Sequence, residues 1–479
     1  MADETTQAVK PQLGFWDAVS IMVGIVIGTT IYEMPPTIAK TLPGPWWVLG
    51  AWALGGVLSV IGAFCYAELA STYPRMGGDY VYLTRAFGSF VGFLFGWAQL
   101  AVILTASTGS MAFVFGRYAV NLWGMSADAT VVFALAAVLA FTLLNLGGVV
   151  LGKQTQNLLS ATKVLGLGAI LIAGLAMGQS GTFGIEERKP IFGGFDLAMI
   201  FVLYGYGGWN DMAFVAADLK DRRNITRSLL LGTLLITAIY LLINAAYIVG
   251  LGFDELRNSE AVASDVLRLM LGNVGANVMS VLVMISALGA VNGLIFAGTR
   301  VYAPLGAEHS IFAALGRWHP RWGSPIWALA AQGAIALGMI FIVGTEGGRA
   351  AIDSVWNGVG RPPIPWGKFG NSGFTMLVSA TAPVFWAFFL LTGVSFFVLR
   401  FKDPDVERPF KLPMPAYPIL PLIFCAFCIW MLYRSAIFAE DLAVIGVLPL
   451  LAAVPMYFLS THRPSVVSDF GEPTEPTAV

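Results

Sequence analysis

The chain has 479 residues, of which 57% are hydrophobic and 11% charged, against about 45–50% and about 25% in an ordinary soluble domain. That composition excludes a soluble globular enzyme, and 27 Lys+Arg against 28 Asp+Glu leave no basic surplus for nucleic acid. The expected solvent is lipid: a helix crosses a bilayer with about 20 apolar residues, so twelve spans use about 240 and leave no room for a large soluble domain.

In chain order, residues 1–16 form a short segment with neither an apolar h-region nor a small-residue cleavage site, so no cleaved signal peptide is expected. Apolar runs then predict twelve spans, at 17–39, 46–71, 86–116, 129–149, 156–178, 195–217, 228–252, 273–304, 324–344, 373–400, 417–435 and 441–460, followed by a polar tail over 461–479. With the N-terminus inside, sixteen Lys and Arg fall on the inner side and ten on the outer, with Lys163 inside a span. This excess places both termini in the cytoplasm of a plasma or inner membrane protein.

The first and sixth spans share a feature. The first is interrupted by Gly24-Ile25-Val26-Ile27-Gly28-Thr29-Thr30, the sixth by Gly205-Tyr206-Gly207-Gly208, each near the middle of its apolar run. Five spans is an odd number, so a second five-helix unit enters the membrane with opposite orientation, which makes the pair an inverted repeat. The expected fold is an all-α membrane protein with a 5+5 inverted-repeat core, discontinuous helices 1 and 6, and two C-terminal helices. Its units are 17–194 and 195–400, with 401–460 carrying a connecting loop and the last two helices.

Both breaks are chemical candidates. A break at Gly28 frees backbone N–H groups that, with a half-helix dipole, hold a carboxylate without any arginine. Gly24 and Gly28, four apart, fit equally a close-packing face against another helix. Three glycines within Tyr204-Gly205-Tyr206-Gly207-Gly208-Trp209 expose carbonyls suited to an ammonium, in a medium that punishes free backbone polar groups; close packing of the glycines is the other reading. Together the two seats fit the ends of a free amino acid. Lys163 is the one basic residue well inside a span. It either sits beside the unwound first helix, doing the work of a sodium ion, or snorkels to the surface. Asp211 is a proton or cation site or a hydrogen-bonded helix start. Glu33 is a solvated carboxylate of the outer vestibule or gates by pairing with a base on another helix. Glu68 is expected to tie to Arg75 or Arg85, and Tyr32, Tyr204, Tyr206, Trp209 and Trp386 are candidate caps of a pocket. The long external segment 345–371 is a candidate cover for the outer vestibule.

Cys425 and Cys428 form a CxxC with no second pair, inside an apolar run, so they read as packed or lipid-facing thiols. No metal or cofactor is expected. His309, His319 and His462 lie outside the spans, and no HExxH or GxSxG sits in one, which argues against an intramembrane enzyme.

The stretches GIVIGTTIYEMP from Gly24, YAELASTYPRMGGDYVYL from Tyr66 and YGYGGWNDMAFVAADLKDRRNITRSL from Tyr204 resemble the amino acid, polyamine and organocation transporter superfamily. The likeness is greatest to the L-type amino acid transporter group and its bacterial relatives, and it runs from the first span through the eleventh. The resemblance implies a bundle of helices 1, 2, 6 and 7 rocking against a scaffold of helices 3, 4, 8 and 9. It places the family's carboxylate seat on Gly28, Thr29 and Thr30, flanked by Val26 and Ile27. Its helix 6 substrate segment falls on Tyr204, Gly205, Tyr206, Gly207, Gly208 and Trp209, and the helix 5 lysine of sodium-independent members on Lys163. Thr30 replaces a glycine, Tyr204 replaces a phenylalanine, and Glu33 and Asp211 are extra acids that favour a proton-coupled or cationic-substrate member. Many L-type relatives pair with a glycoprotein through an external cysteine; the three cysteines here offer no obvious one, so no obligatory partner subunit is expected. The implied function is secondary amino acid transport by alternating access, sodium-independent, driven by proton symport or exchange. A non-transporting amino acid sensor and a polyamine or organic amine transporter are the alternatives.

Overall fold

A computed structural model describes residues 14–460 apart from 179–182, 184–187, 192, 215, 217–218, 220, 320–321, 323 and 371; the described residues are mainly helical, with no β-strand among them. The helices are α1 (Phe15–Val26), α2 (Thr30–Thr41), α3 (Pro45–Thr72), α4 (Asp79–Phe87) and α5 (Ser89–Ala98), which continues through a π-helical stretch, Gln99–Ile103, into α6 (Leu104–Trp123). Next come α7 (Ala129–Leu146), α8 (Val149–Ala176), α9 (Phe195–Tyr206) with a short 3-10 turn at Asn210–Ala213, α10 (Arg222–Leu251) and α11 (Phe253–Asn258). The remainder is α12 (Val262–Glu308), α13 (Ile326–Gly344), α14 (Glu346–Gly358), α15 (Gly373–Lys402), α16 (Ala416–Ala439) and α17 (Asp441–Leu459).

Among the described residues nine helices are long and apolar enough to cross a membrane: α3, the continuous α5–α6 rod, α7, α10, α12, α13, α15, α16 and α17. The first and sixth expected spans are absent from that group because each is broken into shorter pieces. The fifth, α8, has its apolar part over Ala161–Ala176. Local chemistry sets several ends. Pro45 opens α3, where its missing N–H costs nothing. Gly272, at φ 61°, bends the 47-residue α12 next to the expected start of the eighth span at 273.

α8 displays the logic of a lipid-facing helix. Leu158, Leu165 and Ile172, seven apart, are 69%, 71% and 63% exposed, while Lys163, Leu167 and Ile170 on the other face are buried. Apolar groups turned outward and the ionisable one turned inward is the arrangement a hydrocarbon solvent demands.

At the centre, α2 packs on α9 while α1 packs on the 3-10 turn that follows α9. The two broken elements therefore run side by side in opposite senses. Around them α3 lies on α10, α6 on α12 and α7, α8 on α12, and α15 on α16.

One expectation changes at the ends of the spans. Glu68, at the C-terminal end of α3, is held by Arg400 (2.7 and 2.5 Å), by Arg408 at 3.5 Å and by the Leu412 amide (2.8 Å); Arg85 pairs with Asp403 instead. The reason is topological: the end of α15 brings Arg400 to the carboxylate, and the 401–415 loop that follows folds back to α3 and adds Arg408 and the Leu412 amide. Segment 345–371 contributes nothing to the central cavity. Its α14 is amphipathic and lies on α13, Asp353 accepts from the Ile364 amide and the Trp366 indole at 3.0 Å each, and Arg361 and Lys368 pair with Asp441 and Glu440 at the turn between α16 and α17. The thiols of Cys65, Cys425 and Cys428 are all free and buried, as packed rather than lipid-facing groups.

Candidate functional site

The first break is short. Ile27 N still donates to Val23 O (2.9 Å), Gly28 N turns back to Val26 O (2.7 Å), and α2 restarts at Thr30 with Tyr32 N on Thr29 O (2.9 Å). Thr29 does not cap α2, because its hydroxyl donates to Met111 Sδ at 2.9 Å. The amides at the start of α2 therefore gain no side-chain acceptor from that residue, and a helix start of this kind favours an anion.

The second break is glycine chemistry. Gly207 N donates to Tyr204 O (3.0 Å), Gly208 adopts φ 105°, open to glycine at no steric cost, and Asp211 N donates back to Gly208 O (3.1 Å). Asn210 stitches the turn: its Oδ1 accepts from Gly208 N (3.3 Å) and its Nδ2 donates to Asp211 Oδ1 (3.0 Å).

One side chain ties the two breaks together. Tyr240 of α10, fully buried, points its hydroxyl at Val26 O (2.8 Å) and Gly205 O (2.9 Å), the carbonyls released by the last turns of α1 and α9. A phenol has one proton, so the two carbonyls share it.

Between the breaks lies a cavity of about 100 Å³. Of the sequence candidates, Val26, Gly28, Thr30, Tyr204, Gly207, Gly208 and Asp211 line it, with Trp386 on the opposite wall. Ile27 and Thr29 are buried behind that wall. Gly205 lies under Trp52, where a methyl would come within 3.1 Å of the indole. Tyr206 turns away and donates to Trp52 O (2.9 Å). Trp209 sits in an aromatic nest, edge-on to Tyr66 (5.0 Å) and Phe389 (5.7 Å). Tyr32 is buried outside the lining, and the Tyr118 hydroxyl donates to its carbonyl at 3.4 Å.

Lys163 is 2% exposed and its alkyl end packs on Gly289 of α12, so it turns into the bundle rather than snorkelling. Glu33 is 9% exposed and pairs with Arg117 of α6, which replaces the solvated carboxylate by a pairing between helices. Neither lines the cavity. The two charged clusters lie at opposite ends of the bundle: Glu33 follows the break in α2, whereas Glu68 lies a full helix later, at the far end of α3.

Sequence reasoning missed Gln99, Ser107, Met111, Asn210, Thr381 and Phe385, which also line the cavity beside aliphatic residues such as Ile103 and Leu294. A lone amide such as Gln99 within an apolar run is a usable signal, because polar groups in spans face the interior; the π-helical turn that carries it leaves no trace in composition. Asp211 is the one carboxylate among the lining residues, and no Lys, Arg or His joins it. No group of three His, Cys, Asp or Glu converges among the described residues.

The two antiparallel helix breaks thus meet at one cavity, whose lining carries backbone, hydroxyl and amide groups and one carboxyl. Comparison with known proteins places the chain in a family. The amino acid permease family model matches residues 13–458. The chain is 29% identical to "Large neutral amino acids transporter small subunit 2" of Rattus norvegicus, covering 97% of this chain and 84% of that one. It is 26% identical to "Serine/threonine exchanger SteT" of Bacillus subtilis (strain 168), over 94% and 96%, and 29% identical to "b(0,+)-type amino acid transporter 1" of Homo sapiens, over 95% and 89%. On the breadth of the family match, the chain belongs to the amino acid permease family and is a multi-pass membrane transporter, not an enzyme.

Proposed function

We propose that this protein is a secondary active transporter of free amino acids that works by alternating access. The observation that carries the reading is the cavity between two antiparallel helix breaks, lined by Gly28 and Thr30 from the first and by Tyr204, Gly207 and Gly208 from the second. The α-carboxylate is held by the amides entering α2, with the dipole of that half-helix. The α-ammonium is held by carbonyls at the end of α9. A substrate that touches both breaks bridges the two halves, and closure around it follows from that differential contact.

The fold of the proposal is a twelve-span protein with a 5+5 inverted repeat, 17–194 and 195–400, and two additional C-terminal spans. Contacts of α3 with α10, α6 with α12 and α7 with α13 support it, because a two-fold relation pairs each helix with its counterpart. Lys163, inward-facing in α8, takes the place of a sodium ion and makes transport sodium-independent. Exchange or proton symport supplies the energy. The Glu33–Arg117 pair closes one end of the bundle and the Glu68 cluster the other. The protein acts in a plasma or inner membrane with both termini cytoplasmic. It acts without a disulfide-linked partner, since its cysteines are buried.

The test is uptake of a labelled amino acid mixture into proteoliposomes, with and without internal amino acids, a proton gradient and sodium. Uptake that requires internal amino acid establishes exchange, and uptake driven by a proton gradient alone establishes symport. Absence of uptake under every condition refutes the transport reading and shifts weight to an amino acid sensor or to an organic amine substrate.

A further inference from the structure

The seats for the carboxylate and ammonium leave one part of the cavity unused. Gln99, at the start of the π-helical stretch, lines the cavity, is 5% exposed, and its Oε1 has no hydrogen-bond partner. The π turn is where it sits: Leu104 N bonds Gln99 O, five residues back, and such one-turn insertions gather at functional positions. An unpaired buried amide oxygen is costly.

Asp211 contributes the second acceptor. Its Oδ1 takes the Asn210 amide at 3.0 Å, its side chain is 7% exposed with the rest of the residue, and it is the one carboxylate lining the cavity. Tyr302 of α12 fixes the backbone at this turn, its hydroxyl donating to the Gln99 main-chain carbonyl at 3.4 Å and leaving the side-chain oxygen open. Asn210 spends its donor on Asp211, Thr381 donates to Leu377 O at 2.9 Å, and no basic side chain lines the cavity. The cluster therefore has an open amide acceptor and a carboxyl group with no basic side chain beside it in the lining. A carboxylate in that setting is strongly unfavourable unless a positive group arrives to pair with it.

We propose that Gln99 and Asp211 form a side-chain subsite that selects amino acids ending in a cationic donor group, an ammonium or a guanidinium, over those with neutral side chains. The proposal rests on the helix breaks being the seat of the substrate backbone. A guanidinium or ammonium donates to the open acceptor of Gln99 and to the Asp211 carboxylate together, a charge-assisted pairing that a neutral apolar side chain cannot make.

The test uses the full-length protein in proteoliposomes, with initial rates for labelled arginine and labelled leucine measured in parallel and expressed as the ratio of their kcat/KM values. Wild type takes up arginine. Asp211→Asn lowers the arginine-to-leucine ratio about tenfold or more, the scale of one charge-assisted pair. Gln99→Leu lowers the ratio as well, whereas Gln99→Glu raises it, an opposite shift that loss of folding cannot produce. Leucine uptake by wild type without arginine or lysine uptake overturns the subsite and leaves the transport reading standing. A ratio within twofold of wild type in Asp211→Asn and Gln99→Glu, with loss of proton-driven uptake in the former, overturns the subsite in favour of a proton site. No uptake of any amino acid overturns the transport reading and this one with it.

Discussion

Tyr240→Phe is the most informative single change in the helix-break region. The ring stays in its packed site against Trp52 (5.1 Å) and Tyr206 (5.1 Å), and only the hydroxyl is lost. With it goes the proton shared by Val26 O and Gly205 O at 2.8 and 2.9 Å; Val26 O keeps the Gly28 amide at 2.7 Å, so Gly205 O is the buried acceptor left open. Leaving a buried acceptor unsatisfied costs about 1–3 kcal/mol. If that loss falls on the substrate-bound state, KM rises by about 5-fold to 150-fold. If it falls on the fold, the thermal midpoint drops in the absence of substrate. Uptake kinetics and thermal unfolding in detergent, with and without substrate, separate the two. A KM within twofold of wild type together with an unchanged midpoint refutes the idea that this hydroxyl ties the breaks together.

Three further outcomes follow from buried charges. Glu68→Ala strands Arg400 and Arg408, which are 12% and 7% exposed, and removes the acceptor of the Leu412 amide; the expected loss is about 3–5 kcal/mol, read as a lowered thermal midpoint and increased thiol labelling of Cys65 from the N-terminal side. Asp79, outside the spans on α4, accepts from Tyr66 (2.6 Å) and Thr392 (2.7 Å), yet burial pushes its carboxyl up to about 6. The native state then holds a proton that the unfolded chain has released between about pH 4 and 6, so stability falls as pH rises through that window, by up to about 3 kcal/mol. Asp79→Asn keeps both acceptor contacts and flattens that part of the midpoint-against-pH curve; an unchanged curve contradicts the assignment. Lys163→Ala lowers uptake at least about tenfold through loss of a charge in the bundle interior, and uptake equal to wild type dismisses the sodium-substitute role.

Much of the architecture was legible in the amino-acid pattern because hydrocarbon leaves a segment few options. Runs such as 46–71 and 373–400 become α3 and α15 within one or two residues, since every backbone group must be satisfied inside the helix. The breaks were legible for the same reason in reverse: Gly207 and Gly208 stand where no helix former does. Partnerships between distant segments were not. Nothing local to Glu68 announces Arg400, which is 332 residues away at the end of α15, or Arg408, which arrives through the fold of the 401–415 loop. The face of each helix was only partly readable. Tyr206 and Trp209 lie in the same glycine-rich stretch as Tyr204, but the unwinding after Tyr206 turns them toward Trp52 and Phe389 and away from the cavity. Tyr240 and Gln99 carry no motif, and their roles emerge only when α10 and the α5–α6 rod are placed against the breaks.

The central claim is that substrate occupies the space between the two breaks, and Gly28→Ala tests it most directly. A methyl at Gly28 meets nothing closer than Met111 Sδ at 3.6 Å, an ordinary contact, so the fold accepts it while the cavity wall at the carboxylate seat gains a carbon. The measurement is counterflow of labelled amino acid into preloaded proteoliposomes, beside the thermal midpoint of the same preparation. The account predicts a wild-type midpoint with uptake reduced about tenfold or more; uptake and KM equal to wild type would place the substrate elsewhere and contradict it.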